Sequence, residues 1–212
     1  MPRKLVHVAL AASRPQDLAQ AWARLGFALD ASGAAIALAD GVALDFVASK
    51  DAAARRASVG LSADEVAAPA TPADPAASSF ELSAARATEA PRHPNGVLGL
   101  RAVAALADGP ADHAEYLSAF TGQREMLATS AGLEIRLDGG TRLDVLSAPA
   151  FAFRFGVAPA AEGFRVAGLV FAVKDLAETE AVLRAKGLSP RQQAGRLLAE
   201  TIEGVAVAFE QA

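Results

Sequence analysis

The chain has no cysteine and only three histidines among its 212 residues. The first absence excludes a disulfide framework, thiolate metal sites and a cysteine nucleophile; the second leaves few imidazoles for a His-rich centre. Basic excess is also missing. With a formal net charge of -4 and a pI near 5.4, the chain lacks the clustered Lys and Arg that phosphate backbones require, and the lone Arg55-Arg56 pair is too short to supply them. No apolar run approaches the length of about 20 residues that spans a bilayer. The start MPRKLVHVAL is broken by His7 and ends at Ser13-Arg14-Pro15, so it reads as a first strand and not a secretory signal. Gly-rich phosphate loops, a Gly-x-Ser-x-Gly elbow and HExxH are all absent. The expectation is a cytoplasmic globular protein that binds neither nucleic acid nor membrane.

What is present is a phrase repeated three times. Its copies begin LVHVALAASRPQDLAQAWARLGF, LRAVAALADGPADHAEYLSAFTG and VAGLVFAVKDLAETEAVLRAKGL, and continue to AAIALADGVALDFVAS, GLEIRLDGGTRLDVLSA and GRLLAETIEGVAVAFEQ. Each reads as an apolar strand, a helix stopped by glycine, then strands joined at an acidic-Gly turn. In the first copy Ser13 stands as the helix cap with Pro15 near the first helical position, and Leu18, Ala21, Trp22 and Leu25 form one apolar face. The later helices are predicted near Ala111 to Phe120 and Leu176 to Ala185, stopped by Gly122 and Gly187. The outline is β-α-β-β-β, and a repeat of one such unit constrains both fold and site.

Residues 50 to 96 depart from the pattern. Val66 to Ser78 is rich in Pro, Ala and small polar residues and carries no amphipathic helix, while short strands are predicted at Ser58 to Leu61 and Ser79 to Leu82. The region reads as a worn-down fourth unit that kept two strands, the alternative being a plain linker. The open edge of the first unit then needs a cover, either residues 57 to 83 or a second chain.

These repeated βαβββ units, with hairpins such as ADGVALDF, resemble the vicinal oxygen chelate superfamily of glyoxalase I, extradiol dioxygenases and bleomycin-resistance proteins. The segment Arg92-His93-Pro94-Asn95-Gly96-Val97-Leu98-Gly99 resembles the junction of a two-domain glyoxalase-like branch. The resemblance implies an α+β fold in which paired units curl into a cup with helices packed outside. It divides the chain into an N-terminal half, 1–92 (a βαβββ unit at 1–50 and a degenerate one at 51–92), and a C-terminal domain, 93–212 (units 97–148 and 163–211). Homodimers are common in such folds. Metal enzymes of this kind take ligands from the first and last strands of each unit, where a divalent cation chelates two substrate oxygens.

In this chain the first-strand positions fall on His7, Ala102 and Gly168, and the last-strand positions on Asp45, Asp144 and Ala208. The second and third copies together therefore offer one ligand where three or four are needed. Only the first copy offers two, His7 and Asp45, with Glu81 as a third. Two functions follow. In the first, the cup binds a small organic molecule, aromatic or carboxylated, without a complete metal site or a cofactor; in the second, His7, Asp45 and Glu81 hold Mn, Fe, Ni or Zn for a lyase or dioxygenase reaction. A third alternative is a degenerate member that acts through protein contacts.

Other residues carry competing structural explanations. Arg101, Arg136, Arg142, Arg154 and Arg165 lie on or near C-terminal strands, where alternation sends about half to solvent; those that line the cup could bind a carboxylate or phosphate, and Arg101, Asp144, Arg154 and His93 are the candidate ligand-binding residues. His93 belongs to a turn or to the mouth of the C-terminal cup. Phe151, Phe153 and Phe155, spaced by two, read as one strand face flanking Arg154. His113 reads as solvated, and Trp22 and Tyr116 as packing residues.

Overall fold

The computed structural model describes residues 2–49, 57–62, 79–84, 89–159 and 163–212. The first apolar run forms β1 (Leu5–Ala12), and Pro15, whose fixed φ suits a first helical turn, opens α1 (Pro15–Arg24). Ser13 is not the cap: that position is Arg14, without a side-chain capping bond. Instead Asp17 complements the helix N-terminus and pairs with Arg14 at 2.9 Å. Next come β2 (Ala35–Ala37), β3 (Ala43–Ala48), β4 (Ala57–Ser62) and β5 (Phe80–Ser83). Val66 to Ser78 and the Arg55-Arg56 pair lie outside the described residues.

The second copy gives β6 (Val97–Leu106), a 3-10 turn at Pro110–His113, then α2 (Ala114–Thr121), β7 (Met126–Thr129), β8 (Gly132–Arg136) and β9 (Arg142–Leu146). The third gives β10 (Arg165–Val173), α4 (Leu176–Ala185), β11 (Arg191–Gln193), β12 (Arg196–Ile202) and β13 (Val205–Gln211). Between them stands α3 (Ala148–Phe155), which corrects the strand expected for the three phenylalanines. Ser147 at the N-cap position, Pro149 in the first turn and Gly156 at φ +66° are helix boundary signals that override the spacing of two. On a helix, Phe151 and Phe155 share a face and stack at 4.6 Å, while Phe153 points away and is 71% exposed.

The strands form two mixed sheets, ordered β2-β3-β1-β4-β5 and β11-β12-β13-β10-β6-β9-β8-β7. In every copy the first strand pairs in parallel with the last: β1 with β3, β6 with β9, β10 with β13. The first strands β6 and β10 meet antiparallel at the centre of the larger sheet. In the smaller sheet β4 lies antiparallel to β1, and β5 lies parallel to β4. Strands β4 and β5 thus hold the first-to-last relation of a complete unit, and they cover the edge of β1.

One apolar core lies between the sheets and beneath the helices, with Trp22 and Phe27 of the first copy packed edge-on against Phe171 of the third. The His93-Pro94-Asn95-Gly96 turn fastens this arrangement. Asn95 Nδ2 donates to the Leu25 carbonyl at 2.9 Å, and Thr179 Oγ1 donates to the Asn95 carbonyl at 2.8 Å. His93 is buried with both ring nitrogens engaged: Nδ1 accepts from Ala28 N–H at 3.1 Å, so Nε2 carries the proton and donates to the Ala37 carbonyl at 3.0 Å. Asp40, at the first hairpin, accepts from Leu100 N–H at 2.7 Å, and Gly99 leaves room for it: a Cβ there would meet Asp40 Cγ at 2.7 Å.

Candidate functional site

The pairing register places the three copies in one frame. His7 stands opposite Ala43 with Asp45 two residues on; Ala102 stands opposite Arg142 with Asp144 two residues on; Gly168 stands opposite Ala206 with Ala208 two residues on. Alternation along β1 sends Val8 and Leu10 to the core and His7 and Ala9 to the other side. There, His7, Asp45 and Glu81 line one cavity of about 410 Å³, together with Asp30, Ser32 and Ser83.

His7 Nε2 donates to Glu81 Oε1 at 2.7 Å, joining β1 to β5 across β4. The imidazole can lie there because β4 presents Gly60 beneath it: a Cβ at that position would sit 2.5 Å from Nδ1 and 2.7 Å from Nε2. Glu81 is half exposed, so the pair opens to the cavity. Asp30 also lines the cavity. Although slight desolvation acts to raise the pKa of this exposed residue, bonds from the Ser32 hydroxyl and from the Ala35, Ala34 and Gly33 amides outweigh it and hold the carboxyl below its ordinary value. The cavity is therefore polar and acceptor-rich. With His7 Nε2 turned onto Glu81, no group of three or more His, Asp or Glu side chains among the described residues is arranged to hold a metal ion. This donor set does not fit a divalent cation as it stands.

The concave face of the larger sheet differs. The small residues at its ligand positions, Ala102, Gly168 and Ala208, form the floor on which α3 lies. Phe155 rests on Gly168, where a Cβ would meet its ring at 2.6 Å, and Phe151 stacks beside it in the same apolar cluster as Ala102, Ala104 and Ala208. The cup is filled by its own chain.

At its rim is a network of charges. Arg154 of α3 donates to Asp144 Oδ2 at 2.7 Å, and Asp144 is almost wholly buried. Burial raises the pKa of Asp144, opposed by Arg154 and Arg142. Glu210 sits among three arginines, with Arg196 at 2.5 Å, Arg142 at 3.7 Å and Arg101 at 3.9 Å. Arg101 reaches this face because the β6–β10 register skips it as a bulge. Arg136, in contrast, pairs with Glu134 in an exposed position at 3.3 Å.

His93 lies apart from both, in the turn already described, and beside a separate opening lined by Arg92, Lys174 and Glu178. Desolvation lowers its pKa, only partly offset by the bond to Ala37. Trp22 and Tyr116 are buried packing residues. His113 is half-buried against the Phe164 ring at 4.7 Å, not simply solvated. Sequence reasoning missed Gly60, Asp30, Arg196 and Glu210. Period-two alternation from Ala208 would have found Glu210, whereas Gly60 becomes visible only once β4 lies under His7.

No family model and no curated protein matches the chain by sequence. Its structure is similar to 2,2',3-trihydroxybiphenyl 1,2-dioxygenase from Sphingomonas wittichii strain RW1, at 12% identity and a TM-score of 0.58, covering 100% of this chain and 91% of that one. It is similar also to a variant of 4-hydroxymandelate synthase from Streptomyces coelicolor, at 12% identity and TM-score 0.57 over 99% and 92% of the two chains. A xylose isomerase-like TIM barrel/4-hydroxyphenylpyruvate dioxygenase fusion protein matches at 12% identity and TM-score 0.58 over 100% of this chain and 50% of its own. The paired βαβββ copies, the curled mixed sheets and these likenesses establish that this chain has the fold of the vicinal oxygen chelate superfamily.

Proposed function

We propose that the protein binds a small organic ligand in the N-terminal cavity, anchored by the His7–Glu81 pair, without a complete catalytic metal site. One contrast carries this reading: the C-terminal cup is occupied by Phe151 and Phe155, whereas His7, Asp45 and Glu81 border an open space of about 410 Å³. Its acceptor-rich wall, with Asp30, Asp45 and Glu81, favours a ligand presenting hydroxyl or amine hydrogens over one presenting a carboxylate.

A metal-dependent lyase or dioxygenase is the second reading: His7, Asp45 and Glu81 line one cavity, and it would require them to rearrange from the geometry described above. Plasma mass spectrometry of untagged protein, with a thermal-shift screen of hydroxylated and amine-bearing small molecules, separates the two. The expected result is a ligand-dependent rise in melting temperature that is lost in His7→Ala and Glu81→Gln. Stoichiometric Mn, Fe, Ni or Zn in the native protein, lost in His7→Ala, would overturn the first reading in favour of the second.

A further inference from the structure

The rim of the C-terminal cup carries more positive charge than it uses. Among the described residues, Arg101, Arg142, Arg154 and Arg196 stand against two carboxylates, Asp144 and Glu210, while a third, Glu134, lies across from Asp144 and is paired with a fifth arginine, Arg136. Arg154 is committed to Asp144 at 2.7 Å and Arg196 to Glu210 at 2.5 Å. Arg142 and Arg101 remain, and among the described residues their nearest carboxylate oxygens are those of Glu210 at 3.7 Å and 3.9 Å. Among the described residues Arg142 Nε is buried with no hydrogen-bond partner, and so is Asp144 Oδ1, 4.0 Å away on a side chain that is 3% exposed. A buried donor left unpaired is costly and is ordinarily satisfied by water or a ligand acceptor; an anion can serve Arg142 Nε, whereas Asp144 Oδ1 needs a donor such as water.

We propose that this rim is an oxyanion site, in which Arg142 and Arg101 receive a carboxylate or phosphate group beside the Arg196–Glu210 pair. The planar guanidinium fork suits two oxygens of one anion, and partial burial beside the apolar plug strengthens each charge-assisted bond. Glu210 occupies part of the same field as an internal competitor. Because α3 fills the cup below, the ligand's charged head is held at the rim and its remainder extends outward. The site shares no residue with the N-terminal cavity, so either can fail without the other.

Inorganic phosphate and succinate are the probes, titrated at constant ionic strength against sodium chloride, with melting temperature and calorimetry as readouts. The expected result is a saturable stabilisation by one of the two beyond that given by chloride; the tighter binder identifies phosphate or carboxylate as the preferred head. Arg142→Gln should weaken it at least tenfold and Arg142→Lys by less, whereas Glu210→Gln, which removes the competitor, should tighten it several-fold. His7→Ala should leave it unchanged. The proposal is overturned if neither anion exceeds chloride, or if Arg142→Gln and Glu210→Gln both bind as the native protein does.

Discussion

Replacing Phe155 by alanine tests the idea that the C-terminal cup is plugged by its own helix. Phe155 is 3% exposed, stacked on Phe151 at 4.6 Å and seated on Gly168. Truncating a ring in such a place removes its transfer free energy and leaves a cavity, for a loss of about 3–5 kcal/mol. In a chain of this size each kcal/mol lowers the melting temperature by about 2–4 °C, so a fall of about 6–20 °C is expected by calorimetry. Phe153→Ala, at a side chain 71% exposed, should change stability by less than about 0.5 kcal/mol. The vacated space in Phe155→Ala would be lined by Ala102, Ala104, Val170, Ala206 and Ala208, an apolar surface that excludes water and accepts a small aromatic molecule. Benzene at 100 times its dissociation constant should then restore about 2.7 kcal/mol to the variant and nothing to the native protein. Equal stability of the Phe155 and Phe153 variants would refute the plug, as would indifference of Phe155→Ala to benzene.

Two further predictions concern the other parts of the fold. Gly60→Ala places a methyl group against the His7 ring, so it should cost about 1–3 kcal/mol by overpacking and shift the His7 imidazole resonances in NMR spectra; unshifted resonances would show that the ring does not lie on β4. His93 is held neutral, with a pKa below its ordinary value of 6.5. Below that pH the unfolded chain takes up a proton that the folded protein does not, so stability contributed by His93 is complete above about pH 6.5 and falls as pH drops, by at most about 1.4 kcal/mol per pH unit. Urea unfolding at pH 7.5 and 5.5 should show a smaller pH difference for His93→Gln than for the native protein. An equal difference would remove His93 from this account.

Much of the architecture was legible because it depends on local signals repeated in register. The third copy shows this best: β10 and α4 span the residues expected from their apolar periods and from the Gly187 stop. The same repetition identified the equivalent positions on first and last strands, since a parallel pairing between them recurs in each copy. At α3 the sequence pattern points the wrong way, because three phenylalanines spaced by two satisfy a strand pattern while the deciding signals, Ser147, Pro149 and Gly156, lie at its ends. Arg101 was ambiguous because alternation fails at a bulge, and a bulge is set by the neighbouring strand.

By itself, then, the sequence determined the repeated unit, its chain direction and the scarcity of chelating groups at Ala102, Gly168 and Ala208. Those features follow from side-chain periodicity and residue identity, which need no knowledge of distant contacts. Only the tertiary structure decided that His7 meets Glu81 over Gly60, that Asp45 shares their cavity, and that Phe151 and Phe155 fill the other cup. These depend on how separate segments cross in space: Glu81 is 74 residues from His7 in the chain, and no local pattern encodes so long a closure.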